Sequence, residues 1–209
     1  MVRLLIADDH DVVRSGLRSI LEDREGWSVV AEAADGKQAI AKTISEKPDI
    51  AILDYSLPLI NGLEVAREVR AQLPKIEVLM FTMYENDALL RDLLRVGVRG
   101  YLLKSDAIRY LYAAVEALSA HKPFITNKVS DTLLDTFLKA RPKDDVLTHR
   151  ERSIVQLVAE GHSNKVIATV LDIGVKTVET HRAAIMRKLG LTSSAALVRY
   201  AVRNRLVDP

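Results

Sequence analysis

Apolar residues follow two rhythms along this chain. Over roughly the first 120 residues, short unbroken apolar runs alternate with longer stretches in which apolar side chains recur every three or four positions. The runs at residues 2–7, 27–34, 50–53, 76–81 and 100–103 are bounded by turn formers. They predict strands buried on both faces. Val12, Val13, Leu17, Ile20 and Leu21 predict a first helix. Ala39, Ile40 and Ile44 mark a second, opened by Asp35 with Gln38 as a capping box and stopped by Pro48. Leu63, Ala66, Val69 and Leu73 mark a third, stopped by Pro74. A fourth runs over residues 88–96 to Gly97, and a fifth runs from a Ser105 cap to Ala120. Five strands alternating with five helices imply right-handed parallel crossovers. The expected fold is an α/β doubly wound, five-stranded parallel sheet.

Past residue 121 the short runs stop. Val129, Leu133, Leu134, Phe137 and Leu138 predict one amphipathic helix over residues 127–140, and Arg141-Pro142-Lys143-Asp144-Asp145 predicts a hinge. That helix either packs on one domain, the reading preferred here, or carries a signal or a dimer contact. Thr148 and Glu151 form a capping box for a helix ended by Gly161. Ser163 caps a short helix to Leu171, a turn at Asp172-Ile173-Gly174 leads into a longer helix to Leu189, and Ser193 or Ser194 opens a fourth. Short helix, tight turn and longer basic helix is the helix-turn-helix pattern. The expected division is residues 1–121, a linker at 122–145, and a small all-α four-helix domain at 146–209.

Charge sharpens that division. The formal charge of +2 covers 20 Lys and Arg against 23 Asp and Glu in residues 1–145, and 10 against 5 in residues 146–209. A basic domain after an acidic one points to nucleic acid for the second part alone. The chain has no Cys, which removes disulfides, thiolate nucleophiles and Cys-bound metals. No apolar run is long enough to span a bilayer, and the apolar start is too short for a signal peptide. The expectation is a soluble, cytoplasmic protein that makes no membrane contact.

The chemistry gathers at the strand ends. Asp8 and Asp9 follow the first strand, Asp54 the third, Thr82 the fourth and Lys104 the fifth. In an open parallel sheet that edge is where ligands bind. Taken singly, each has a plain structural role: Asp54 opening a turn, Asp8 or Asp9 capping a helix, Thr82 as a strand-end hydroxyl, Lys104 as a surface charge. Their shared position decides for function. Clustered carboxylates repel one another and call for a cation, and oxygen ligands with room for water suit Mg²⁺. Asp54 then serves as a nucleophile toward a phosphoryl group, with Thr82 and Lys104 donating to its oxygens.

Asp8-Asp9, Leu53-Asp54 with Pro58 and Gly62, Thr82, and Tyr101-Leu102-Leu103-Lys104 together resemble the receiver domain of two-component response regulators. The resemblance implies phosphoryl transfer from a cognate histidine kinase to Asp54. It implies Asp9, Asp54 and the Tyr55 carbonyl as Mg²⁺ ligands, with Asp8 assisting through water. It also implies a switch in which Thr82 meets the phosphoryl group and Tyr101 swings inward. Met83 stands where the family has a small residue, and Tyr55 where aliphatic residues are common. Met83 and Tyr84 are expected to slow attack by water on the aspartyl phosphate. Ser56 flanks the same site.

The long basic helix divides by face. Val178, Ile185 and Leu189 form an apolar stripe, whereas Lys176, Glu179, Thr180, Ala183 and Arg187 share another face. On that face Lys and Arg can pair with phosphates, Glu can accept from cytosine N4, and Thr and Ala can meet a thymine methyl. The same residues also suit an ordinary solvated face. Leu147-Thr148, Arg150-Glu151, residues 157–161, Ser163-Asn164-Lys165, residues 176–179, His181-Arg182 and residues 185–190 resemble the LuxR-type DNA-binding domain. The whole chain resembles a NarL/FixJ-type response regulator. By position, base contacts fall to Glu179, Thr180 and Ala183, and phosphate contacts to Lys165, Lys176, Thr177, Arg182 and Lys188. Gly174 replaces a Ser cap, which costs a few tenths of a kcal/mol. The resemblance implies a receiver that covers the recognition helix until phosphorylation, then a homodimer on double-stranded promoter DNA.

Two other readings compete. A Mg²⁺-dependent phosphohydrolase would carry an acid two residues after the nucleophile, where this chain has Ser56. A regulator controlled without phosphorylation would not need the full set of Asp8, Asp9, Asp54, Thr82 and Lys104. The chain is therefore read as a regulator and not an enzyme, its chemistry confined to phosphorylation and dephosphorylation of its own Asp54.

Overall fold

The computed structural model describes residues 1–83, 87–126, 146–204, 206 and 207. The expected helix over 127–140, the hinge at 141–145 and Tyr84 lie outside the described residues. Two compact units divide the chain, Met1–Ala140 and Arg141–Pro209.

In the first unit the strands are β1 (Val2–Ala7), β2 (Trp27–Ala33), β3 (Ile50–Asp54), β4 (Glu77–Thr82), β5 (Gly100–Leu103) and β6 (Phe124–Ile125). The helices between them are α1 (Asp11–Glu22), α2 (Gly36–Glu46), α3 (Gly62–Gln72), α4 (Asp87–Val96) and α5 (Ala107–Ser119). All strand pairs are parallel, in the order β2-β1-β3-β4-β5-β6. The sixth strand is a correction: the sheet is not five-stranded, and the stretch assigned to the linker from residue 122 still pairs with the sheet. Two residues after Pro123 carry no periodicity, so no pattern announced them.

The central strands are buried along their whole length, as their unbroken apolar runs require. One core lies between the sheet and α2, α3 and α4, with Leu5, Leu53, Met80 and Tyr101 among its members. The other lies on the α1 and α5 side, with Ile6, Ile52, Phe81 and Leu102. Three helix starts depart from the expected pattern. Val12 is 84% exposed, so only Leu17 and Leu21 of the first apolar set are fully buried. A 3₁₀ turn at Lys104–Asp106 precedes α5, and Ser105 does not cap it. Asp35 accepts from the Gln38 N–H at 2.8 Å, but Gln38 returns to the Asp35 carboxylate rather than to its backbone.

At the far end of the sheet the buried Glu77 pairs with Arg99 and His121. Phe124 N–H donates to the Arg99 carbonyl at 2.9 Å, which seats β6.

The second unit holds α6 (His149–Ala159), α7 (Asn164–Leu171), α8 (Val175–Leu189) and α9 (Ser194–Arg203). α6 packs against α7, α8 and α9, and α7 against α8. The Thr148–Glu151 capping box opens α6 as expected. Ser163 and Ser193 cap α7 and α9. Gly174 leads α8 without a side-chain cap.

Gly62 ties the strand ends to the helices. Its N–H donates to the Tyr55 carbonyl at 2.9 Å. A Cβ there would overlap the Asp54 carbonyl oxygen and come within 3.0 Å of the Asp54 carbonyl carbon. The bond needs a residue without a side chain. Gly62→Ala is expected to destabilise the first unit by about 1–3 kcal/mol, read as a lower urea midpoint; an unchanged midpoint would contradict this packing.

Candidate functional site: an acidic sheet edge and a basic recognition helix

Parallel strands deliver the first site. β1 ends at Ala7, so Asp8 leaves the sheet with its N–H bonded to the Ala33 carbonyl at 3.1 Å. Asp54 is the last residue of β3 and stands in register with Phe81 of β4. Thr82 ends β4 beside Leu103, and Lys104 follows β5 directly. Asp8, Asp54 and Thr82 are all buried.

Lys104 bridges the two buried acids. Its Nζ lies 2.6 Å from Asp8 Oδ2 and 2.9 Å from Asp54 Oδ2. It also sits 5.8 Å above the Phe81 ring centroid. Burial raises the Asp54 carboxyl to a pKa of about 6, against the pull of Lys104 and of a backbone N–H at Ser56. Burial works against the Lys104 charge, but Asp54 and Asp8 outweigh it and hold its pKa above the ordinary value.

The rim is more open. Asp9 and His10 are exposed, with His10 Nδ1 2.8 Å from Asp9 Oδ1 and 3.3 Å from Asp8 Oδ1. Asp9 raises the His10 pKa despite partial desolvation. Arg14 donates to the Asp8 carbonyl at 2.7 Å and holds that peptide in place. Sequence reasoning did not single out either residue. His10 was visible only as a neighbour of the acid pair, and Arg14, on the next helix, carried no signal.

The acids suit a hard cation. Ligand atoms of Asp8, Asp9 and His10 lie within 4.8 Å of one another. The Tyr55 carbonyl accepts from the Gly62 N–H at 2.9 Å, and a carbonyl oxygen carries two lone pairs. Carboxylate and carbonyl oxygens around a partly open rim match Mg²⁺. Tyr101 is fully buried, among the core side chains of its face of the sheet. Met83 is 70% exposed.

The second site lies on α8. Val178 and Ile185 are buried, and Leu189 is partly covered. Lys176, Thr177, Glu179, Thr180, Ala183 and Arg187 are exposed, as is Lys165 on α7. The Thr180 hydroxyl donates to the Lys176 carbonyl at 2.9 Å. Two of the expected phosphate contacts are engaged inside the unit. Arg182 donates to Asn164 Oδ1 at 2.6 Å and to Ser194 Oγ at 3.3 Å, tying α7, α8 and α9 together. Lys188 lies 2.7 Å from the carboxylate of the buried Glu151. Burial raises the Glu151 pKa, but Lys188 and Thr148 outweigh it and keep the carboxyl below its ordinary value.

Comparisons with known proteins agree with this arrangement. Residues 4–116 match the model of the response regulator receiver domain, and residues 145–201 match that of bacterial regulatory proteins of the luxR family. The oxygen regulatory protein NreC of Staphylococcus haemolyticus is 38% identical over 216 residues, covering 99% of this chain and all of that protein. NreC of Staphylococcus aureus is 35% identical over the same span. Among solved structures, a complex of the two-component response regulator RcsB with DNA is 30% identical, with a TM-score of 0.61, covering 95% of this chain and 96% of that one. RcsB of Salmonella enterica serovar Typhimurium, bound to promoter rprA with phosphomimetic BeF₃⁻, is 28% identical, with a TM-score of 0.65, covering 96% and 98%. The chain belongs to the two-component response regulators of the NarL/FixJ type: it is a transcription regulator with a receiver domain followed by a LuxR-type DNA-binding domain.

Proposed function

We propose that a histidine kinase phosphorylates this regulator on Asp54 in a Mg²⁺-dependent reaction, and that phosphorylation favours a homodimer which binds double-stranded promoter DNA through α8. The observation that carries the first half is the Lys104 ammonium held between the buried Asp8 and Asp54 carboxylates. The protein works in the cytoplasm; among the described residues no helix is long and apolar enough to cross a membrane. The receiver continues through β6, residues 127–145 form the linker, and residues 146–209 bind DNA.

The step is a transfer to a carboxylate. An Asp54 oxygen attacks phosphorus of the phosphohistidine, the P–N bond breaks, and its electron pair returns to the imidazole nitrogen, which takes up a proton. Asp54 must be ionised to attack, and with a pKa of about 6 most of it is ionised at neutral pH. Lys104 is placed to leave Asp54 for a phosphoryl oxygen while keeping Asp8. Thr82, at the end of the adjoining strand, supplies a hydroxyl. Mg²⁺, held by Asp8, Asp9, Asp54 and the Tyr55 carbonyl, would offset the charge that the acids and the incoming phosphoryl group share. The buried Tyr101 and the Thr82 hydroxyl form the switch, and the transfer shifts an existing equilibrium between two states of the receiver.

On α8 the exposed residues divide by role. Lys165, Lys176, Thr177 and Arg187 contact phosphates, and Glu179, Thr180 and Ala183 meet base edges. Arg182 reaches DNA while anchoring three helices. Lys188 acts chiefly through Glu151, so the phosphate role read from the sequence is secondary to a structural one.

Two outcomes are expected. Binding of Mg²⁺ at pH 6 should release about half a proton from Asp54, and none at pH 8, because metal ligation needs the carboxylate. Calorimetry in buffers of different ionisation enthalpy reads this release, and an equal release at both pH values, or one that persists in Asp54→Asn, would refute it. Lys176→Ala should weaken binding to all DNA sequences alike and lower the salt slope by about 1, with unchanged melting. Thr180→Ala should alter sequence preference instead. Lys188→Ala should lower the melting temperature, because it leaves Glu151 buried without its ammonium. Identical behaviour of the three variants would overturn the assignment of roles.

A further inference from the structure

We propose that Gly36, the first residue of α2, is a positioning residue for the Mg²⁺ site: it makes room for the β3–α3 loop, and through that loop it sets the Tyr55 carbonyl. The inference rests on the metal reading above.

Residues 55–61 connect Asp54 to α3, and Tyr55 contributes a backbone oxygen. Backbone contacts hold this loop at its end and in its middle. At one end, Tyr55 O accepts from Gly62 N–H at 2.9 Å. In the middle, Pro58 O accepts from Ile60 N–H at 2.8 Å and from Gly36 N–H at 3.0 Å. Beside that bond, Ile60 rests directly on the Gly36 Cα. A Cβ on Gly36 would overlap the Ile60 carbonyl oxygen and lie 2.7 Å from its carbonyl carbon and 2.8 Å from its Cβ. Two of the three atoms are backbone, so no side-chain rotation relieves the overlap. Gly36 has no positive φ, so the requirement at this position is space.

The displacement has a direction. Asp54 belongs to β3 and is in register with β4, so the sheet holds it. The loop is the softer partner. Leu59 already sits at φ 66°, a region that L side chains visit at a cost. A shift of Ile60 passes along a short segment whose other end is the Gly62–Tyr55 bond. Tyr55 O therefore moves while Asp54 and Lys104 stay. The consequence is a metal site with its nucleophile intact and one ligand misplaced. Residues that orient metal ligands typically change metal affinity by about 10–100-fold.

The test uses the full chain. Mg²⁺ binding is titrated by calorimetry for wild type, Gly36→Ala and Gly16→Ala; a Cβ at Gly16 on α1 meets nothing within 4 Å. Phosphorylation of Asp54 by a small phosphodonor is followed against Mg²⁺ concentration in the same proteins. Gly36→Ala should bind Mg²⁺ about 10–100-fold more weakly, need correspondingly more Mg²⁺ for half-maximal phosphorylation, and keep the rate at saturating Mg²⁺. Gly16→Ala should match wild type in both. Should Gly36→Ala fail to fold, amide exchange of Gly36 in wild type decides alone: added Mg²⁺ should slow it while leaving Gly16 unchanged. Wild-type Mg²⁺ affinity in a folded Gly36→Ala, a lost saturating rate at unchanged affinity, or a Gly36 amide indifferent to Mg²⁺ would each overturn the inference and leave the metal reading standing. A wild type that binds no Mg²⁺ would overturn both.

Discussion

One ammonium stands between two buried carboxylates, and the receiver is arranged around that fact. Taking charges out of water costs several kcal/mol per ion, and an apolar cluster would fill the same space more cheaply. A buried triad of this kind is weak evidence for stability and better evidence for chemistry. Asp8 and Asp54 carry two negative charges against the single charge on Lys104. Asp9 adds a third at the rim, so the site stays short of positive charge and is set up for a divalent cation. Burial is what raises the Asp54 pKa, with a smaller push from Asp8, against the pull of Lys104. Desolvation that makes the carboxylate costly also leaves it poorly hydrated, as a nucleophile should be.

The parallel sheet makes this geometry available. β1, β3, β4 and β5 are adjacent and all run the same way, so their last residues meet along one edge. No side chain has to reach far except Lys104. The helices fix the loops between the strands. Gly62 and Gly36 let α3 and α2 approach the β3–α3 loop at backbone distance, and Arg14 on α1 holds the Asp8 peptide. The DNA-binding unit solves a different problem. Its recognition helix must stay rigid while it exposes cations. Arg182 and Lys188 bind inward, whereas Lys165, Lys176 and Arg187 remain on the surface.

Much of this was legible beforehand because periodicity and position carry it. Unbroken apolar runs marked the buried strands, and the residue after each run fell on the sheet edge. That was enough to collect Asp8, Asp54, Thr82 and Lys104. The Thr148–Glu151 capping box and the Val178–Ile185 stripe were equally plain. What escaped has physical reasons. β6 has two residues, too few for a period. Val12 fits a helical spacing yet is solvated, because spacing cannot say which of two adjacent apolar residues faces the sheet. The inward turn of Lys188 depends on Glu151, 37 positions away, and a helix read alone shows Lys188 only as one more cation. The contact of Gly36 with Ile60 joins a helix start to a loop with which it shares no pattern.

The central claim is that phosphorylation of Asp54 controls DNA binding by the second unit. Sedimentation of the full chain with labelled promoter DNA tests it most directly, with and without Mg²⁺ and a small phosphodonor, for wild type and Asp54→Asn. A donor-dependent gain in both dimer and DNA complex, absent in Asp54→Asn, is the expected result. Equal DNA binding by phosphorylated and unphosphorylated wild type would contradict it and would point to a regulator switched by a protein partner.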